Sequence, residues 1–578
     1  MSSITPKQVG TYAKIGASVI VLIAIAVSKH NGQQALMIAL AGGLGAVIGW
    51  CFSPAGREFR AFVIPAIAVI AILVVVQGHR PLNPSVTNIL CVAAFCLALT
   101  FCLATARKGN GAKATTFGTA EWATLEHLRA NDLLGASGIR LGTVAGAQHG
   151  ERLRYESDRH LLTIAPTRSG KGVSAIIPNL LTYTGSVLVI DPKGENAMVT
   201  AAARGAMGQN VFVVDPWMIA ADACGRTARF NPLDWLAKGD IDITENAMLL
   251  ADALIVPSQG NERFWTEEAK ALLQGLILYV ATDEHEEGAR NLGRVRDLLL
   301  LDGEDMPMLF QRMTHSAHHV VASTGARCLQ KDEKLLGNVL ASAQAETHFL
   351  DSPRIRDSLS SSDFKFEDLK TRAMTIYLVL PADRLNAFGR WLRLLIQQAI
   401  TVNARNIEVK PDQPVLFILD EMPALGRLAM VEQAFGLMAG FGMQLWGIVQ
   451  DVSQLKRIYG EGWETFIGNS GAIQYFGSRD RMTAEYFSAL CGDTTVANES
   501  FSFARTFGGN GGGSNTQTTS DVQRKLAYPD ELMRMYAGRQ LVLIENCHPI
   551  IPSKTRWFED AELAALGRNL HAIQAKAA

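Results

Sequence analysis

Charge is scarce in this sequence: only 19% of its 578 residues are Asp, Glu, Lys or Arg. With 54 basic and 55 acidic side chains the net charge is −1, so no chain-wide basic field exists to hold nucleic acid by charge alone. No stripe of basic residues interleaved with aromatics is visible either. Contact with DNA or RNA must therefore come from a local patch or from a channel built by several copies. The eight cysteines show neither metal-ligand nor disulfide-framework spacing. That argues against a zinc module or a stapled secreted domain, and it suits buried thiols in a reducing compartment.

The shortage of charge is uneven. Residues 31–56, 61–79 and 85–106 contain no Lys, Arg, Asp or Glu. Each window holds an apolar run long enough, or nearly so, to cross the hydrocarbon layer as a helix. Spans are expected near 34–52, 61–77 and 86–106, with a fourth near 9–28 if Lys14 snorkels to the headgroups. Lys7, Lys14 and Ala24-Ile25-Ala26 also fit a cleavable signal peptide. Either choice leaves the large remainder inside. Lys7, Lys14, Arg57, Arg60, Arg107, Lys108 and Lys113 fall on the cytoplasmic side of this arrangement, and only Lys29 and Arg80 fall outside. Residues 1–106 thus read as a multi-pass membrane anchor, followed by the polar linker "ARKGNGAKATT".

After the linker, short Val-, Ile- and Leu-rich runs recur between helical stretches: "HLLTIA" (160–165), "SVLVID" (186–191), "NVFVVD" (210–215), "MTIYLVL" (374–380), "VLFILD" (415–420), "QLWGIVQ" (444–450), "AIQYFG" (472–477) and "QLVLIE" (540–545). Continuous apolar strands of this kind predict an α/β fold with a parallel sheet covered on both faces. Several end in Asp, Glu or Gln, and open parallel sheets bind ligands outside the carboxyl ends of their strands. Residues 237–360 read as a helical insertion that divides the α/β domain into 107–236 and 361–578. Within it, 264–282 has apolar residues at helical spacing. "GGNGGGSNTQTTS" (508–520) reads as a flexible loop.

"LLTIAPTRSGKGVSAIIPNLL" has the order of a phosphate loop: strand, glycine-bearing turn, helix start. Gly170 lets the backbone approach phosphates, and Lys171 can reach the β- and γ-phosphates of ATP. Two usual residues are missing. Ala165 stands where the first glycine would be, and Gly172 replaces the Ser/Thr that ligates Mg²⁺. Metal must then be held by water, phosphate and a carboxylate elsewhere. "PVLFILDEMPALG" (414–426) supplies one: Asp420 can hold Mg²⁺ and Glu421 can deprotonate the attacking water. Gln450, at the end of "LWGIVQ", can sense the γ-phosphate or simply satisfy loop backbone.

Read together, these stretches resemble the type IV secretion coupling proteins, the conjugative TraG-type family. "APTRSGKG", with its Gly172, is what that family usually carries. Also similar are "FGTAEWA" (117–123), "DPKGEN" (191–196), "RFNPLDWL" (229–236), "FWTEEAKALL" (264–273), "LDEMPALGR" (419–427), "IVQDVSQLKRIYG" (448–460) and "PSKTRWFED" (552–560). The resemblance implies an ATPase anchored in the bacterial inner membrane, acting as a homo-hexamer. It implies a RecA-like nucleotide-binding domain and an inserted all-α domain facing the cytoplasm. Its partners would be single-stranded DNA with its relaxase, or secreted proteins, and the subunits of a type IV secretion channel. By position, Thr167, Arg168, Ser169, Gly170, Lys171 and Gly172 carry over as the phosphate loop for ATP. Asp420 and Glu421 carry over as the Mg²⁺-holding and water-activating acids, and Gln450 as the sensing residue.

The sequence departs from the family twice. Members often have two membrane spans, and this chain has more candidates. Some relatives supply a trans-acting arginine shortly before the sensing glutamine, whereas 438–446 here is "MAGFGMQLW"; Arg427 or Arg390 are the substitutes. Two other readings stand beside this one. An FtsK-type DNA motor would need a long low-complexity linker and a C-terminal winged-helix reader, neither of which is visible. A non-catalytic receptor would have no need of Glu421 as a water activator.

Overall fold

Strands rich in β-branched residues need a cover on each face, and the covers here are helices. In the computed structural model, which describes residues 41, 115–144, 151–256, 263–504 and 514–570, twelve strands occur among the described residues. They are β1 (Ile139–Val144), β2 (Glu151–Tyr155), β3 (His160–Ile164), β4 (Val187–Asp191), β5 (Asn210–Val214), β6 (Met374–Val379), β7 (Val415–Leu419), β8 (Met443–Val449), β9 (Ser470–Tyr475), β10 (Asp493–Ala504), β11 (Ser514–Lys525) and β12 (Leu541–Ile544). Eight form one sheet in the order β12-β9-β3-β8-β7-β4-β6-β5. Seven of these run parallel, from β9 through β5. Their carboxyl ends therefore share one edge.

Alternation along each strand splits the core in two. Leu162, Ile164, Leu188, Ile190, Ile376 and Leu378 point into one apolar cluster, which also holds Trp391, Leu394 and Leu395 of the helix Leu385–Arg405. Leu161, Val187, Val189, Tyr377, Ile418 and Trp446 point into the other, with Ala175 and Leu180 after the first sheet strand and Ala197 of the helix Glu195–Ala206. Both faces being apolar is why these strands read as unbroken hydrophobic runs. Between β5 and β6 the chain forms the helices Ile243–Leu254, Arg263–Thr282, Leu292–Leu299, Asp305–Thr314, His319–Leu329 and Glu333–Thr347. The second of these buries Ala269, Leu272, Leu273, Leu276, Ile277 and Val280 at the spacing its sequence predicts.

The structure corrects three expectations. β12 joins the sheet antiparallel to β9, with Leu541 opposite Tyr475; an apolar run fixes strand character but not direction. The hairpin of β1 and β2 has no counterpart among the expected strands, because its Arg140, Arg152 and Arg154 interrupt the apolar pattern. Residues 514–520, read as loop, begin β11, where Thr and Gln alternate on a strand with no apolar run to signal it. The rest of that loop, 508–513, lies outside the described residues, as do the spans expected near 9–28, 34–52, 61–77 and 86–106, position 41 apart. Among the described residues no helix is long and apolar enough to cross a membrane. Residues 117–498 and 522–578 cluster into one unit, and 1–116 with 499–521 into another; the site below lies wholly within the first.

Candidate nucleotide-binding site

β3 ends at Ile164 and the chain turns through Ala165–Lys171 into a π-helical turn, Gly172–Ile176. The turn is tight because two residues adopt left-handed backbone: Arg168 at φ +63° and Gly170 at φ +90°. Glycine tolerates that region at no steric cost and arginine does not, so the loop stores strain at Arg168. A Cβ on Gly170 would also come within 3.4 Å of Ser174 Oγ, whereas one on Gly172 would meet nothing within 4 Å. The missing hydroxyl at 172 is therefore not a steric requirement of the backbone.

Lys171 leaves this loop and reaches across β8 to the end of β7. Its Nζ lies 2.8 Å from Asp420 Oδ1 and 3.3 Å from Glu421 Oε2. The first contact is a buried ion pair, and Lys171 is the partner of Asp420 Oδ1. Burial opposes the charge of Lys171, but the two acids outweigh it and hold its pKa above the ordinary lysine value. Burial pushes the Asp420 carboxyl up, against the pull of Lys171. Glu421 sits at φ +63°, ψ +48°, a left-handed position that costs a non-glycine residue about 1–2 kcal/mol. Its other oxygen, Oε1, accepts from Gln450 Nε2 at 3.0 Å, and the Gln450 N–H donates to Gln454 Oε1 at 3.0 Å. Lys171, Glu421 and Gln450 thus form a chain across three neighbouring strand ends.

The rest of the loop is open to a ligand. Thr167 and Arg168 are exposed, and Ser169 is half-buried with its Oγ lacking any hydrogen-bond partner. Together with Gly170 they line a cavity of about 1040 Å³. The unpartnered Ser169 hydroxyl and a backbone cradle beside an ammonium and two carboxylates match the groups that a metal-bound triphosphate presents. The residues present fit ATP and Mg²⁺ on that observation. Among the described residues no group of three or more His, Cys, Asp and Glu is placed to hold a metal ion.

Of the two substitute arginines, Arg390 is bound within the chain, donating to Glu346 at 3.0 and 2.8 Å. Arg427 is 52% exposed and stands 3.7 Å from Glu432. Sequence reasoning assigned no role to Asp191, at the end of β4 next to β7, nor to Lys554, which donates to the Ser169 carbonyl at 3.2 Å. Both lie in stretches that carried the family resemblance, "DPKGEN" and "PSKTRWFED", so a signal was present without a chemistry attached to it.

A family model described as "Type IV secretory system Conjugative DNA transfer" matches residues 121–578. The chain belongs to that family. Within this family of coupling proteins, VirD4 of Agrobacterium fabrum (strain C58) is 29% identical over 461 residues, covering 78% of this chain and 67% of the relative. TraG of Escherichia coli is 29% identical over 467 residues, covering 74% and 73%. Two solved structures share the fold. The unbound monoclinic form of the conjugative coupling protein TrwBdeltaN70 matches with TM-score 0.58 at 17% identity, covering 77% of this chain and 95% of that one. TrwB in complex with ADP and Mg²⁺ matches with TM-score 0.57 at 17% identity, covering 77% and 96%. The fold is accordingly the RecA-like α/β arrangement with a mostly parallel sheet.

Proposed function

We propose that this coupling-protein family member is an ATPase that drives conjugative DNA transfer through a type IV secretion system. The observation that carries this is the contact of Lys171 Nζ with Asp420 and Glu421, at 2.8 and 3.3 Å, with Gln450 bound to the same glutamate. Lys171, freed from the acids, binds the outer phosphates. The turn Thr167–Gly172 wraps them with backbone N–H groups and the start of the following helix. Asp420 would hold Mg²⁺, which when bound supplies charge neutralisation at the phosphates. Glu421 accepts the proton of the attacking water. Gln450, tied to that carboxylate and to Gln454 at the start of the next helix, transmits the change in Glu421 to its own segment.

Residues 1–106 we assign to a multi-pass anchor in the bacterial inner membrane, with 107–236 and 361–578 as a cytoplasmic motor. Residues 237–360 we assign to an all-α module that recognises cargo, a relaxase on single-stranded DNA or a secreted protein. A homo-hexamer would place six such motors around one channel. Supporting this are the charge-free windows, the positive residues that flank them, and the run of helices between β5 and β6. Mating assays test the whole reading: Lys171→Ala is expected to abolish DNA transfer from a donor that lacks the wild-type chain. Transfer at the wild-type frequency would reject it. Deletion of 237–360 should remove cargo binding, and unchanged binding would reject that assignment.

A further inference from the structure

The segment "PSKTRWFED" (552–560) has no part in the mechanism above, yet the fold delivers its lysine to the phosphate loop. Lys554 Nζ donates to the Ser169 carbonyl at 3.2 Å and to the Phe476 carbonyl at 3.2 Å. It also stands 4.2 Å from the centroid of the Phe476 ring, within cation–π range. Ser169 lies two residues before Lys171, and Phe476 directly follows β9, the neighbour of β3 on the side away from β8. One ammonium therefore ties the loop to the next strand end. An ammonium has three protons. Two are taken by these carbonyls, which leaves one for the 1040 Å³ cavity that Lys554 lines with Thr167, Ser169 and Gly170.

The cavity's charges favour an anion there. Arg168 of the loop, Arg479 after β9, and Lys554 and Arg556 of the segment all line it, against Asp451, Asp480 and Glu559. Asp451 and Asp480 are engaged by their own turns, and Glu559 offsets Arg556, which leaves Arg168, Arg479 and Lys554. Asp451 accepts from Gln454 N at 2.7 Å, Asp480 from Thr483 N at 2.8 Å, and Glu559 pairs with Arg556 at 2.9 Å. We propose that Lys554 is a nucleotide-binding residue, which holds the Ser169 carbonyl in place and donates its remaining proton to a phosphate oxygen of the bound nucleotide. This rests on the nucleotide reading of the same loop. It makes the C-terminal segment part of the binding site and not only a strap across the sheet.

Burial, with Arg556 beside it, brings the Lys554 amine down to about 8. The amine is charged below that pH and neutral above it. Nucleotide affinity should therefore fall as pH rises through about 8. The other charged or titratable groups lining the same cavity are Arg168, Arg479, Arg556, Asp451, Asp480, Glu559 and Tyr536.

The test is binding of mant-ADP with Mg²⁺ to the purified full chain between pH 7 and 9.5, for wild type, K554R, K554M and K171A. The loss of one charge-assisted hydrogen bond predicts about tenfold weaker binding for K554M at pH 7. The wild type should approach K554M above pH 8, while K554R keeps its affinity throughout and controls for the nucleotide's own titration. A merely structural tie would lower the melting temperature without producing that pH profile. If K554M binds within twofold of wild type at pH 7 while K171A has lost binding, the Lys554 assignment fails and the nucleotide reading stands. If K171A also binds normally, the nucleotide reading fails and takes this inference with it. Should K554M not fold, equal pH profiles for wild type and K554R overturn the assignment.

Discussion

Four parallel strands of the sheet, β8, β7, β4 and β5, end in an acid or an amide at its carboxyl edge, and they divide into two kinds. Asp191 after β4 and Asp215 after β5 turn both carboxylate oxygens back on the chain. Asp191 accepts from Ala197 N at 2.9 Å and Lys193 N at 3.3 Å, and Asp215 accepts from Ala220 N at 2.7 Å and Trp217 N at 3.2 Å. They close turns in ordinary capping fashion. Asp420-Glu421 after β7 instead face a lysine from another strand, with Glu421 on left-handed backbone and Gln450 after β8 bound to it. The same residue types at the same kind of position thus divide into groups that close their own turns and groups held by side chains from other strands. Groups of the second kind can exchange those side-chain partners for a ligand.

Substitutions on each side should separate the two kinds. The largest effect is expected from Lys171→Ala: about 10²–10³-fold lower kcat/KM for ATP in a coupled assay, because the ammonium that the loop aims at the outer phosphates is gone. Next comes a contrast between the two ends of β3. At its start His160 is buried and neutral, its Nδ1 accepting from Leu445 N at 3.1 Å and its Nε2 standing 2.8 Å from the Ala434 carbonyl. Burial lowers its pKa to about 4. A folded pKa below the unfolded value means stability is complete above pH 6.5 and is lost as pH falls toward 4, up to about 3 kcal/mol. Thermal melts at pH 7 and 4.5 should show this loss, and His160→Gln should flatten it.

Gln450→Ala should reduce ATP turnover about tenfold while ATP affinity stays within about twofold, since only the tie to Glu421 is removed. Asp215→Asn should do the reverse. Turnover should be unchanged, and thermal stability should fall by about 1 kcal/mol through a lost capping acceptor. A loss of turnover there would erase the division between the two kinds of strand end. The smallest effect on folding is expected from Gly172→Ser. Nothing lies within 4 Å of the added Cβ, so stability should move by no more than about 0.5 kcal/mol. The new hydroxyl should lower the Mg²⁺ concentration needed for half-maximal turnover.

Much of this was legible in the residues. All eight strands of the main sheet stand out as apolar runs, because burial on both faces leaves no polar alternation to blur them. The expected phosphate loop, the acid pair and Gln450 lie at the ends of those runs, and the structure brings Lys171 to Asp420 and Glu421, and Gln450 to Glu421. What could not be read was direction, partnership and pairing. β12 is antiparallel, a fact its four residues cannot encode alone. The β1–β2 hairpin is too polar to show as a strand pair. Whether a strand-end acid caps its own turn, like Asp215, or meets a lysine, like Asp420, depends on sheet order. Lys554 reaches the loop only because residues 385 positions apart in sequence become neighbours.

The central claim is that Glu421 activates water at a site where Lys171 and Asp420 hold the nucleotide. Steady-state ATP turnover and mant-ATP affinity, measured together on Glu421→Gln, test it most directly. The expected result is turnover lowered by about 10²–10⁴-fold with affinity kept within about threefold. Turnover within twofold of wild type, with the nucleotide still bound, would contradict it.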